Sequence, residues 1–103
     1  MEAEQLKGHL DGLVLAVLAG EPKHGYAVIE ALKVRTQGRL DLAEGTVYPA
    51  LHRLERNGQL ASDWSDTGRR RRVYRLTPKG ERELGLRRRR WREFASTVDA
   101  VLA

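Results

Sequence analysis

A mainly α chain with one small β-hairpin and a long C-terminal helix is the fold this sequence predicts. Three observations lead there. Apolar residues recur at helical spacing in three stretches before residue 58. Between residues 60 and 76 the pattern changes to that of two short strands. Thr77-Pro78 then reopens a helix that runs nearly to residue 103. At 103 residues the chain has the size of one domain.

The first predicted helix spans residues 3–19. Leu6, Leu10, Leu13 and Val17 mark one face, and Val14, Leu15 and Leu18 widen it. From Leu13 to Leu18 the helix is apolar almost all round. Such a helix is buried on more than one side, and a second subunit is one candidate cover. Gly20 stands at the C-cap and Glu21-Pro22 stops the helix. The second helix spans residues 25–36. Tyr26, Ile29 and Lys33 share one face, while Val28, Ala31 and Leu32 supply the apolar one. Gln37-Gly38-Arg39 breaks it.

The third helix covers residues 43–57, with Val47, Leu51 and Leu54 inward. Asp41 or Ala43 marks its start, and Asp41 and Glu44 have capping-box spacing. Pro49 falls early enough to cost less than it would at the centre of the helix. Asn57-Gly58 closes it. Strands at 60–64 and 70–76 flank the turn residues Ser65-Asp66-Thr67-Gly68, giving a hairpin with a basic return strand. Trp64 is expected to pack under that hairpin. Thr77 caps the last helix and Pro78 takes its first position. Leu84, Trp91 and Val98 lie seven apart, as do Phe94 and Val101, which makes a short heptad seam.

Composition excludes several classes of function. The chain has no Cys, so disulfides, thiolate metal sites and cysteine nucleophiles are ruled out, and a reducing cytoplasm is the expected location. His9, His24 and His52 do not make a metal ligand set. Neither a nucleophile with its base nor a Gly-rich phosphate loop is present, so no enzyme and no cofactor are expected. No run approaches the ~18 apolar residues of a membrane span, and no signal-peptide pattern opens the chain.

Charge points to a partner. The formal net charge is +5. Residues 1–51 hold five basic and seven acidic groups, while residues 52–103 hold fourteen basic and seven acidic. Two runs, Arg69-Arg70-Arg71-Arg72 and Arg87-Arg88-Arg89-Arg90, contain eight of the nineteen basic residues. Clustered Arg in a small basic domain fits nucleic acid. On a helix the second run points all ways, so it reads as solvated surface, with Glu83 and Arg87 spaced for an ion pair.

Helix, helix, helix, hairpin and long helix is the order of a winged helix-turn-helix. Residues 1–77 form the expected DNA-binding unit, with the wing at about 60–76, and residues 78–103 a dimerisation helix integral to the same domain. The third helix would enter the major groove of double-stranded DNA, N-terminus first. The candidate DNA contacts there are Thr46, Tyr48, Pro49, His52 and Arg53. Tyr26, which also fits a core position, joins them, as do Arg69, Arg70, Arg71 and Arg72 of the wing. The candidate dimer interface is Leu6, Leu10, Leu13, Leu84, Trp91, Phe94, Val98 and Val101.

Several stretches carry a resemblance to a known family. They are His24-Gly25-Tyr26, Glu44-Gly45-Thr46-Val47-Tyr48-Pro49-Ala50-Leu51-His52-Arg53-Leu54-Glu55, and Asn57-Gly58-Gln59-Leu60. Gly68-Arg69-Arg70-Arg71, Tyr74-Arg75-Leu76-Thr77 and Lys79-Gly80 follow in order. With these motifs the chain resembles the PadR family of winged-helix transcriptional regulators over residues 8–103. The resemblance implies a homodimeric repressor on an inverted-repeat operator, with the last helix pairing two subunits. It also implies that Trp91 could bind a small aromatic effector. One departure is Ala43-Glu44, where family members often place Ser or Asn at the cap. The competing function is a dimeric winged-helix interaction module that binds protein instead of specific DNA.

Overall fold

The computed structural model describes residues 3–65, 68 and 70–103. Its elements are α1 (Ala3–Leu6), α2 (Leu10–Leu18), β1 (Lys23–His24), α3 (Gly25–Arg35), α4 (Glu44–Arg56), β2 (Leu60–Ser65), β3 (Arg71–Leu76) and α5 (Pro78–Leu102). The mainly helical class and the long last helix match the expectation.

The first predicted helix is two helices. Gly8, at φ 83°, breaks it, because a left-handed residue cannot continue the right-handed turn. The apolar stretch of α2 finds its cover within the chain. Val14, Leu15, Val17 and Leu18 are buried, and α2 packs against α3, α4 and α5. No second subunit is needed to explain them. On α3, Val28, Ile29 and Leu32 all enter the core, so Ile29 parts from Tyr26, which is exposed. Tyr26 is therefore not a core residue.

Three antiparallel strands, not two, form the sheet, in the order β1-β3-β2. Lys23 pairs with Tyr74 and His24 with Val73, while β2 runs against β3 from Leu60↔Leu76 to Ser65↔Arg71. Two residues are too few to show a period, which is why β1 escapes the sequence. Tyr74, in the central strand, is fully buried, and burial raises its phenol further above the usual range. The turn residues Asp66 and Thr67 lie outside the described residues, as does Arg69.

The start of α5 is fastened to the end of α4. Gly58, at φ 78°, turns the chain, and the Gln59 N–H reaches back to the Leu54 carbonyl at 2.9 Å. Thr77 Oγ1 then donates to the Gly58 carbonyl at 2.6 Å and accepts the Gly80 N–H at 3.1 Å. Lys79 Nζ donates to the Asn57 carbonyl at 2.6 Å. A Cβ on Gly80 would overlap the Gln59 carbonyl oxygen, so only glycine fits there. Leu84 is 4% exposed and belongs to the core, which removes it from the candidate dimer interface. The first turns of α5 bring it down onto its own domain.

Candidate nucleic-acid interface

Helix α4 buries Val47, Ala50, Leu51 and Leu54. The opposite crest, at spacings of four and three, is Gly45, Pro49, His52 and Arg56, all exposed. Ala43 is the N-cap and offers no side-chain hydrogen bond. Asp41 does not cap the helix; its carboxylate lies 3.9 Å from Lys33 Nζ. The first turn of α4 is thus left without a side-chain cap, and free N–H groups at a helix start attract anions. Pro49 has no N–H for the Gly45 carbonyl, a loss tolerable on the exposed crest.

One flank of α4 faces the wing. Glu44 and Tyr48 line a groove together with His24, Gly25, Tyr26, Arg70, Arg71 and Arg72. A Cβ on Gly25 would stand 2.6 Å from the Tyr48 ring, so the glycine gives that ring its seat. Tyr48 is half-buried there, while Tyr26 is 56% exposed. Tyr48 and His52, one turn apart, have ring centroids 6.5 Å apart.

Each described wing arginine is held differently. Arg70 stacks over Trp64, 4.8 Å from its centroid, and Arg72 lies 5.3 Å from the same ring. Arg72 Nε also donates to Ser62 Oγ at 2.7 Å, and Ser62 Oγ donates to Glu55 of α4 at 2.5 Å. That chain ties the wing to α4. Arg71 Nη1 lies 2.7 Å from His24 Nε2. Trp64, half exposed, is a platform for arginines on the wing and is not packed beneath it.

The other flank of α4 carries Thr46 and Arg53. Arg53 is engaged by Asp11 of α2, with Nε 3.4 Å from Oδ2. The hydrogen bond to Asp11 raises its already high pKa. The structure therefore separates Arg53 from the wing groove and gives it an intramolecular partner. Thr46 is exposed and borders a second groove with Leu6, Leu42, Arg53 and Arg87.

Away from α4, Leu6, Leu10 and Leu13 lie half-buried against the core. Trp91, Phe94 and Val101 of α5 are 54%, 58% and 80% exposed. The His9 ring meets Trp91 edge-on at 5.5 Å, and Phe94 lies 6.1 Å from Trp91. The sequence reading missed Arg56, although its spacing from Gly45, Pro49 and His52 identifies the crest. It missed the role of His24 at the α3 N-cap, where position before a helical Gly-Tyr was the available signal. Glu44 it took only as a start signal.

Comparison with known proteins agrees with this geometry. Residues 14–86 match the Transcriptional regulator PadR-like family. The transcriptional regulator Rv3488 of Mycobacterium tuberculosis is 42% identical over 77 residues, which cover 74% of the chain and 59% of that relative. The chain thus spans little more than half of its length. A PadR-like transcription factor structure from Bacteroides fragilis superposes with a TM-score of 0.79 at 36% identity, covering 96% of this chain and 95% of that one. A transcriptional regulator structure from Clostridium thermocellum reaches 0.90 at 25% identity, covering 98% and 100%. Among the described residues no helix is long and apolar enough to cross a membrane.

Proposed function

The chain belongs to the PadR-like family of transcriptional regulators, DNA-binding proteins and not enzymes, and from that premise we propose that it is a repressor acting as a homodimer on an inverted-repeat operator. The observation that carries the reading is the bare, uncapped start of α4 beside three held wing arginines. Gly45 sits in ordinary helical backbone, and a Cβ on it would meet nothing within 4 Å. Glycine costs a helix up to about 1 kcal/mol relative to Ala. Nothing among the described residues repays that cost. A DNA backbone approaching the helix start does, because only there is a side chain in the way. Thr46, Tyr48, Pro49, His52 and Arg56 follow as the reading surface, and Arg70 to Arg72 as phosphate contacts. Arg53 drops out in favour of Asp11.

Dimerisation rests on the exposed distal stripe of α5, which a second copy would cover. Two-fold symmetry then sets half-sites about one DNA turn or a multiple apart. An aromatic effector would enter at Trp91, between its ring and that of the same residue in the second copy. It would release DNA only by binding one dimer geometry more tightly than the other. Quenching of Trp91 fluorescence in a Trp64→Phe background, with loss of operator binding, tests that step.

The main test is a gel shift on DNA from upstream of the protein's own transcription unit, against a shuffled duplex. Arg70→Ala with Arg71→Ala should weaken both and flatten the salt slope by about two per subunit. Gly45→Ala should stabilise the free protein by a few tenths of a kcal/mol, up to about 1, and yet weaken operator binding. Equal affinity for both duplexes would remove sequence-specific recognition and leave the interaction module.

A further inference from the structure

His24 stands between two hydrogen-bond donors. Its Nδ1 accepts the Ala27 N–H at 3.3 Å, as the N-cap of α3. Its Nε2 lies 2.7 Å from Arg71 Nη1 of β3. A guanidinium has donors only, and a neutral imidazole has one lone pair. That lone pair can serve Ala27 or Arg71, but not both. If Nε2 accepts from Arg71, the Nδ1 proton faces the Ala27 N–H and the helix loses its cap. If Nδ1 caps the helix, Nε2–H and Arg71 confront each other as two donors.

With Nδ1 kept as the cap, the two donors must part from 2.7 Å, and an anion that accepts from both would hold them. Arg70 and Arg72 line the same groove and add positive charge to it. We propose that His24 and Arg71 form a clamp for one backbone phosphate of bound DNA, with Nε2–H and the guanidinium both donating to it. The proposal rests on the DNA-binding reading above and adds a residue to it. His24 is then more than a helix cap: it joins the start of the helix-turn-helix to the wing through the phosphate.

A pH dependence follows. In the free protein burial, and next the charge of Arg71, hold the imidazole below its ordinary value. A phosphate beside Nε2 favours the imidazolium and moves that value up. DNA binding then takes up protons, and affinity rises as pH falls through the ordinary histidine range. The other groups bearing on the imidazole are Arg70 and Arg72 of β3, Glu44 and Tyr48 of α4, Tyr26 of α3 and Lys23 of β1. A partial shift takes up less than one full proton, so the gain is about threefold per pH unit and stays below tenfold.

The test is fluorescence anisotropy on a labelled mixed-sequence duplex of about two helical turns, at low salt, between pH about 5.5 and about 8. His24→Asn keeps a good N-cap but loses Nε2. It should melt within a few degrees of the unmodified protein, bind the duplex about fivefold or more weakly, and lose most of the pH dependence. If His24→Asn binds with unchanged affinity and pH profile, His24 is a cap alone and the clamp is wrong. If the unmodified protein binds no duplex, the DNA-binding reading itself fails, and the clamp with it. Inorganic phosphate at constant ionic strength separates the sources of phosphate. Weak competition, no better than that of chloride, supports the DNA clamp. Tight displacement of the duplex would make the groove a site for free phosphate and overturn it.

Discussion

The two halves of α5 carry the same heptad seam and have opposite surroundings. In the first half, Thr77, Lys79 and Gly80 are fastened to the α4–β2 corner, and Leu84 is in the core. Glu83 and Arg87 pair at 3.1 Å, and the Arg87 stem lies over Gly12 of α2. In the second half, Trp91, Phe94, Val101 and Leu102 are exposed. Of these, Trp91 takes an edge contact from His9, in the connection between α1 and α2. Equal apolar spacing therefore has two destinations. One half completes the domain, and the other is left mostly uncovered by the described residues. In the proposed dimer, α5 is a stiff lever whose near end is fixed beside the recognition helix. A change in how two distal halves cross would move α4 with it.

The comparison can be broken at its near end first. Gly80→Ala puts a Cβ into the Gln59 carbonyl, a backbone atom that cannot rotate away. It should cost at least about 3 kcal/mol in urea unfolding. Stability close to that of the parent would show that the fastening is not rigid. The distal half gives the next effect. Trp91→Ser with Phe94→Ser should leave the helical circular dichroism of the subunit intact. It should weaken the dimer by about 2 kcal/mol, roughly thirtyfold, in sedimentation equilibrium. A dimer of unchanged affinity would place the interface elsewhere. The smallest effect belongs to the junction. Glu83→Gln removes the i,i+4 pair with Arg87 and should cost about 0.5 kcal/mol, less at high salt.

Much of this fold was legible because local rules settle it. Thr77-Pro78 starts α5 where a cap and a helix-first proline must lie. Val47, Leu51 and Leu54 face inward because their spacing leaves one side of α4 apolar. Arg71 and Arg72 were legible as part of a wing strand through their position after the turn residues. At the candidate site, the sequence nominated α4 but not the division of its faces. Tyr48 goes to the wing groove, Thr46 and Arg53 go to the α2 side, and Arg56 completes the crest.

What the sequence determined by itself is the identity of the elements, their order and the apolar face of each helix. Those follow from period, caps and turn chemistry, which act over a few residues. Only the tertiary structure decided which surface covers each face and which partner each charge finds. Arg53 meets Asp11 across 42 positions and Arg71 meets His24 across 47. Leu84 is buried and Trp91 is half exposed, although one heptad relates them. Period tells which way a side chain points along its own helix. It carries no information about what stands opposite, and that depends on how the elements pack.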